Sequence, residues 1–210
     1  MHPKYVLNYF GIQGRAEVAR LMFHLKDVKF TDNQISFQDW PNLKHNHSKF
    51  PLEQMPTLEV DGQVICQSAA INFYLAETLD LYGATITERV VINQIYETLS
   101  DYTKEYFEIE YSKSLDESQK KEAFAEFSTK ETTKLKFQFI ESLLKRNNCG
   151  TGYFVGDSIS LGDIVFHSTC EMIDETVLNK YPLLRDLNNR VKESPKLKPY
   201  LTSRNLLFHP

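Results

Sequence analysis

The chain has 210 residues, with 24 basic against 28 acidic side chains for a net charge of −4, and is 41% hydrophobic and 25% charged. That balance excludes a largely disordered chain and allows one large domain or two small ones, at about 100–200 residues each. It supplies no basic stripe for tracking phosphates, and no stretch approaches the about 18 apolar residues of a membrane span, so neither nucleic acid nor a bilayer is an expected partner.

In chain order, Tyr5 to Phe10 is aromatic and branched and predicts a strand. The turn Gly11-Ile12-Gln13-Gly14 follows, and Arg15 to Leu25 places Ala16, Ala19 and Phe23 on one face of a helix. Val28 to Ile35 is a second strand candidate. Ser36 to Gln54, containing Trp40-Pro41, predicts a loop with one short helix. Thr57–Val60 and Gln63–Cys66 flank Asp61-Gly62, the strong signal for a two-residue hairpin turn. Ser68 stands before an apolar-periodic stretch to Leu79, where a serine can cap the first helical turn.

From Ala84 the pattern becomes helical throughout. Thr85 to Tyr111 contains no proline or glycine, and a second long helix is expected from Glu117 to Lys145. Ile159-Ser160-Leu161-Gly162-Asp163-Ile164 combines a serine cap with an acid three residues on, a capping box. Pro182 to Ser194 and Pro195 to Leu201 predict two further helices, each opened by proline. The expected organisation is an α/β domain over residues 1–80 and an all-helical domain over residues 86–210.

Motifs for metal, nucleotide or hydrolase chemistry are missing: no zinc-type cluster, no G-x-G-x-x-G, no Walker A loop, no G-x-S-x-G. Cys66, Cys149 and Cys170 are odd in number and scattered, which fits a reducing compartment and a cytoplasmic protein. Nothing after Met1 reads as a signal peptide. Three features retain chemical interest. Gly11–Gly14 lies between a strand and a helix, where an anion can meet free N–H groups. Met55-Pro56 precedes a strand, a place compatible with a cis bond. Gln67-Ser68 offers an amide, a hydroxyl and a helix N-terminus suited to a carboxylate.

Taken as an ordered set, these segments resemble the cytosolic glutathione transferases, most of all the sigma class with its haematopoietic prostaglandin D synthases and lens S-crystallins. The resemblance runs through Tyr9-Phe10, Gly14-Arg15-Ala16-Glu17, Asp39 to Lys44, Met55 to Gly62, Gln67-Ser68 and Gly156 to Asp163. It implies a thioredoxin-like N-terminal domain that binds reduced glutathione and an all-α C-terminal domain carrying an apolar co-substrate site, with no metal. By that resemblance Tyr9 donates a hydrogen bond to the glutathione sulfur and Arg15 adds positive charge near it. Trp40 and Lys44 meet the glycine end, and Gln54 stands where a lysine is usual. Met55 offers backbone hydrogen bonds, with Pro56 cis. Gln67 and Ser68 hold the γ-glutamyl carboxylate, and Asp101 reaches across a homodimer toward the partner's glutathione. Ser160 and Asp163 are assigned to folding.

The implied activity is conjugation of the glutathione thiolate to apolar electrophiles, with hydroperoxide reduction a further family reaction. The co-substrate cleft is expected between the first turn, the helix around Tyr102 to Tyr111, and Leu206 to Phe208. Prostaglandin D synthesis is one alternative, weakened because Glu108 and Thr169 replace a tryptophan and a cysteine of the vertebrate synthase. A non-enzymatic crystallin-like or binding protein is another. With no cysteine in the Gly11–Gly14 turn, a Cys-x-x-Cys dithiol centre is excluded, and the reactive sulfur arrives with the ligand.

Overall fold

The structure is a computed structural model that describes residues 3–205. It divides into two compact units: the chain up to Leu81 together with the segment from Ser194, and Tyr82–Glu193.

In the first unit, β1 (Tyr5–Phe10) forms as expected, and a 3-10 turn over Gly14–Ala16 leads into α1 (Glu17–Leu25). β2 (Phe30–Ile35) starts later than the predicted Val28. A short helix, α2 (Trp40–Leu43), sits in the expected loop. β3 (Thr57–Val60) and β4 (Gln63–Cys66) make the hairpin, with Asp61 and Gly62 at φ +47° and +88°, the positive values a two-residue turn demands. α3 (Ser68–Thr78) follows.

The sheet order is β2-β1-β3-β4. β1 pairs parallel with β2 and antiparallel with β3, which pairs antiparallel with β4. As an edge strand, β2 tolerates its polar sequence, whereas central β1 buries Leu7, Asn8 and Tyr9. Helices α1 and α3 pack together, and α3 lies on β3 and β4. Leu7, Leu21, Phe23, Leu58, Ile71 and Leu75 form the core. This is a thioredoxin-like arrangement.

The second unit is all helical. α4 (Ile86–Glu110) opens with a capping box, the Thr85 hydroxyl accepting from the Glu88 N–H at 3.2 Å and the Glu88 carboxylate accepting from the Thr85 N–H at 3.0 Å. The single helix expected from Glu117 to Lys145 is instead two, α5 (Glu117–Thr129) and α6 (Glu131–Arg146). Lys130 between them is extended, at ψ 140°, and the Thr129 hydroxyl bonds back to the Ala125 and Glu126 carbonyls, closing the first helix.

α7 (Leu161–Thr169) carries the predicted capping box. The buried Asp163 carboxylate accepts from the Ser160 N–H (2.8 Å), the Ser160 hydroxyl (2.6 Å) and the Phe154 N–H (3.0 Å). Burial nevertheless raises its pKa to about 6. α8 (Glu175–Leu178) and α9 (Pro182–Lys192) complete the unit, the latter opened by proline as expected. α4 packs on α5, α6 and α7, and α9 packs on α6 and α7.

The C-terminal segment differs from expectation in where its helix begins. Its helix, α10 (Lys198–Ser203), starts after a turn in which the Ser194 carbonyl accepts from Leu197 and Lys198, so Pro195 does not open it. By its contacts it groups with the first compact unit. Tyr200 stacks on His24 at 4.0 Å and donates to Glu17, and Arg204 pairs with Glu17 at 2.7 Å.

Candidate functional site

Strand register brings the candidate residues of the first unit to one end of the sheet. The β1–β3 ladder stops at Asn8–Thr57, and β3–β4 pairing stops at Thr57–Cys66. Continuing the register would set Tyr9 opposite Pro56, which has no N–H to extend the ladder. The end of β1, the start of β3 and the link from β4 to α3 therefore meet where Tyr9, Met55, Pro56, Gln67 and Ser68 lie. The Met55–Pro56 bond is cis.

Tyr9 is 7% exposed, and its hydroxyl accepts a hydrogen bond from the backbone N–H of Arg15 at 3.2 Å. The turn permits this because Gly14 has φ +41°, and a Cβ there would lie 2.7 Å from the tyrosine oxygen. Arg15 itself is exposed. The sequence reading includes neither the close approach of Gly14 nor the use of the Arg15 backbone; the signal in the sequence is the glycine itself between a strand and a helix, the residue that meets a positive φ without strain.

The start of α3 corrects one expectation. Ser68 is the first helical residue, not the cap; Gln67 occupies the capping position and makes no side-chain capping bond. The first intrahelical bond runs from the Ile71 N–H to the Gln67 carbonyl, so the N–H groups of Ser68, Ala69 and Ala70 have no acceptor within the helix. Gln67 itself has φ +73°, ψ 119°, a strained conformation for a side chain of its kind. Such strain concentrates at ligand clamps.

At the far end of the loop, Trp40 meets the Phe10 ring edge-on at 6.0 Å and the Phe50 ring at 5.0 Å. Lys44 pairs with Glu53 at 3.7 Å, which brings it to the segment that carries exposed Gln54. His47 and His45 also donate to Glu53, at 3.1 and 3.0 Å, and these bonds hold its carboxyl down at about 2. Among the described residues no group of three or more His, Cys, Asp and Glu side chains is arranged to hold a metal ion.

In the second unit, Asp101 is exposed on α4. Tyr102, expected to line a cleft, is instead core: it is 2% exposed, packs on Phe127 and Phe137, and donates to the Met172 carbonyl at 3.2 Å. Further along α4, Phe107 and Tyr111 stack at 5.3 Å, Tyr106 packs on Phe124, and Glu108 is exposed. Thr169 is buried and donates to the Val165 carbonyl. The expected contribution of residues 206–208 lies outside the described residues.

Residues 5–77 match the N-terminal domain of glutathione S-transferases and residues 100–204 match their C-terminal domain. The chain belongs to the glutathione S-transferase family. Among curated relatives it is 33% identical to glutathione S-transferase 1 of Ascaris suum, over 96% of this chain and 97% of that one. It is 32% identical to S-crystallin 4 of Enteroctopus dofleini, over 97% and 98%.

Three solved structures illustrate the spread within the family. A sigma class transferase of Fasciola hepatica superposes with TM-score 0.85 at 26% identity, covering 96% of this chain and 97% of that one. A Pi-class transferase of Onchocerca volvulus gives 0.83 at 31%, covering 96% and 94%. Prostaglandin synthase D of Nilaparvata lugens gives 0.80 at 31%, covering 97% and 100%. Similarity across several classes establishes the family and supports glutathione-conjugating transferase activity in general. Glutathione is accordingly the co-substrate. No helix among the described residues is long and apolar enough to cross a membrane.

Proposed function

We propose that this glutathione S-transferase holds reduced glutathione as a thiolate beside Tyr9 and adds it to an electrophilic carbon of an apolar co-substrate. The observation that carries this reading is the 3.2 Å bond from the Arg15 N–H to the Tyr9 oxygen. With an N–H donating to that oxygen, the phenolic proton is left to point at a sulfur. A donor aimed at sulfur favours thiolate over thiol, whose ordinary pKa is about 8.5, and each unit of lowering raises the thiolate fraction about tenfold while the thiol form dominates. The Arg15 guanidinium adds a fixed positive charge to the same end. With an activated haloarene, the new C–S bond forms and the halide departs with its electron pair.

For the rest of the peptide, the geometry and the family resemblance support the following reading. Gln67, Ser68 and the acceptor-free N–H groups of α3 take the γ-glutamyl carboxylate. Met55 supplies backbone bonds to the cysteinyl part. Trp40, Lys44 and Gln54 take the glycine end, where Gln54 contributes a neutral donor in place of a charge-assisted one. The protein acts as a sigma-type homodimer in the cytoplasm, with Asp101 of each subunit reaching the γ-glutamyl amino group bound by the other. The helical domain carries the apolar site, its α4 aromatics beyond Tyr102 supplying part of the wall.

Two other readings have support. Similarity to the Nilaparvata lugens prostaglandin synthase D favours isomerisation of prostaglandin H by the same thiolate, and similarity to S-crystallins favours a non-enzymatic role. Retention on immobilised glutathione followed by conjugation to chlorodinitrobenzene separates them. Retention with turnover supports the transferase; retention without turnover favours the crystallin-like role; loss of both overturns the site. Prostaglandin D formed from prostaglandin H would establish the isomerase, and its absence would remove that reading. Gel filtration at twice the chain mass supports the dimer that gives Asp101 its role.

A further inference from the structure

The turn that sets the Tyr9 hydroxyl is held from behind by one side chain. Arg20, on α1, is 1% exposed, and each of its guanidinium nitrogens is engaged. Nη1 donates to the Ile12 carbonyl at 2.8 Å and the Gln13 carbonyl at 3.3 Å, and Nη2 donates to the Phe10 carbonyl at 3.2 Å. Nε donates to both Asp32 oxygens, at 3.2 and 3.0 Å. The guanidinium carbon lies 5.9 Å from the centroid of the Tyr9 ring. Arg20 thus ties together β2, the end of β1 and two carbonyls of the turn, while facing the ring whose hydroxyl meets Arg15.

A second layer fixes Arg20. Its Nη1 lies 3.4 Å from Glu17, itself 1% exposed. Glu17 is held as well by the C-terminal segment: Tyr200 donates to both its oxygens, at 3.0 and 3.1 Å, and Arg204 pairs with it at 2.7 Å. Four charges, Arg20, Arg204, Glu17 and Asp32, balance in pairs. A buried carboxylate tied on both sides moves little without losing bonds, so the position of α10 is coupled to that of the turn through Glu17 and Arg20.

We infer that Arg20 is a positioning residue for the Tyr9 hydroxyl, and that Glu17, clamped by Tyr200 and Arg204, makes the C-terminal segment part of that support. The inference rests on the reading of Tyr9 as donor to the glutathione sulfur. Lysine cannot replace Arg20, because one ammonium point charge does not cover carbonyls and a carboxylate spread around a planar fork. The effect on chemistry is indirect: a turn free to shift lets the Arg15 N–H and the Tyr9 hydroxyl drift, and the sulfur loses its aligned donor.

The test measures the apparent pKa of the bound glutathione thiol, by ultraviolet absorbance of the thiolate during a pH titration, in the wild type, Tyr9→Phe, Arg20→Lys and Tyr200→Phe. Thermal midpoints are recorded alongside. Arg20→Lys should raise that pKa by about one unit and Tyr200→Phe by about 0.3 unit, about tenfold and twofold in thiolate fraction, with kcat falling in step and KM for glutathione little changed. Should Arg20→Lys not fold, Tyr200→Phe decides, because it removes one hydroxyl and leaves both arginines on Glu17. If Tyr9→Phe raises the pKa while both support variants keep the wild-type value, whatever their thermal midpoints, Arg20 and Glu17 are structural only and the inference fails. If Tyr9→Phe itself leaves the pKa unchanged, the thiolate reading falls and takes this inference with it.

Discussion

Replacing Gly14 by alanine is the most local perturbation of the proposed thiolate site. The backbone there has φ +41°, which costs a side-chain-bearing residue about 1 kcal/mol. The new methyl would stand 2.7 Å from the Tyr9 oxygen, 3.0 Å from Cε1 and 3.3 Å from Cζ, against ordinary carbon contacts of about 3.5–4.0 Å. The ring must therefore retreat by up to about an ångström in surroundings already filled by Phe10 and the Arg20 guanidinium, an overpacking cost of about 1–3 kcal/mol. Together these amount to about 2–4 kcal/mol, or a thermal midpoint lower by about 5–15 °C for a chain of this size. Misplacing the hydroxyl by that distance should cut kcat/KM with chlorodinitrobenzene by about 10- to 100-fold, and the bound thiol pKa should rise. Gly62→Ala is the matched control: φ is +88°, but nothing lies within 4 Å of the added carbon, so stability falls by about 1 kcal/mol and activity stays. A Gly14→Ala protein that folds and keeps both the wild-type rate and the wild-type thiol pKa would refute the reasoning.

Other variants probe separate parts of the account. Lys44→Ala should raise KM for glutathione about threefold to tenfold with kcat nearly unchanged, while Glu53→Gln, which leaves Lys44 without its carboxylate at 3.7 Å, should lower KM; steady-state kinetics at two ionic strengths checks both signs. Asp163→Asn keeps the acceptor for the Phe154 N–H but opposes an amide to the Ser160 donors, a loss of about 1–3 kcal/mol read as a lower urea midpoint with activity per folded molecule retained. Because burial raises Asp163 from 3.8 to about 6 in the fold, its protonation favours the folded chain; that contribution is complete below about pH 4 and lost as pH rises through about 6. The deficit of Asp163→Asn against the wild type should accordingly be larger near pH 4 than near pH 7.

Features written in adjacent residues were legible. The strand Tyr5–Phe10, the Asp61-Gly62 hairpin and the Ser160–Asp163 box each depend on chemistry within a few positions, and each stands where the sequence reading put it. The break at Lys130 was not legible, because no proline or glycine marks it; a threonine hydroxyl closing its own helix is invisible to periodicity. The allegiance of the last helix was hidden for a different reason. Tyr200 and Arg204 meet Glu17 across most of the chain length, and no local pattern records a contact of that range. At the site, side-chain candidates could be named by resemblance, but the contact the Tyr9 hydroxyl makes comes from a backbone N–H and from the space a glycine leaves. Neither carries a side chain for a motif to record. Ser68 shows the converse: a residue type suited to capping, displaced by one position because Gln67 takes the strained corner.

The central claim is that the Tyr9 hydroxyl keeps bound glutathione as a thiolate, and titrating the thiol in the wild-type complex and in Tyr9→Phe tests it most directly. The account predicts a bound-thiol pKa well below the ordinary value of about 8.5 in the wild type, and a rise of about one unit or more in Tyr9→Phe, with kcat falling in proportion to the thiolate lost. Equal pKa values in the two proteins, with glutathione bound to both, would contradict it.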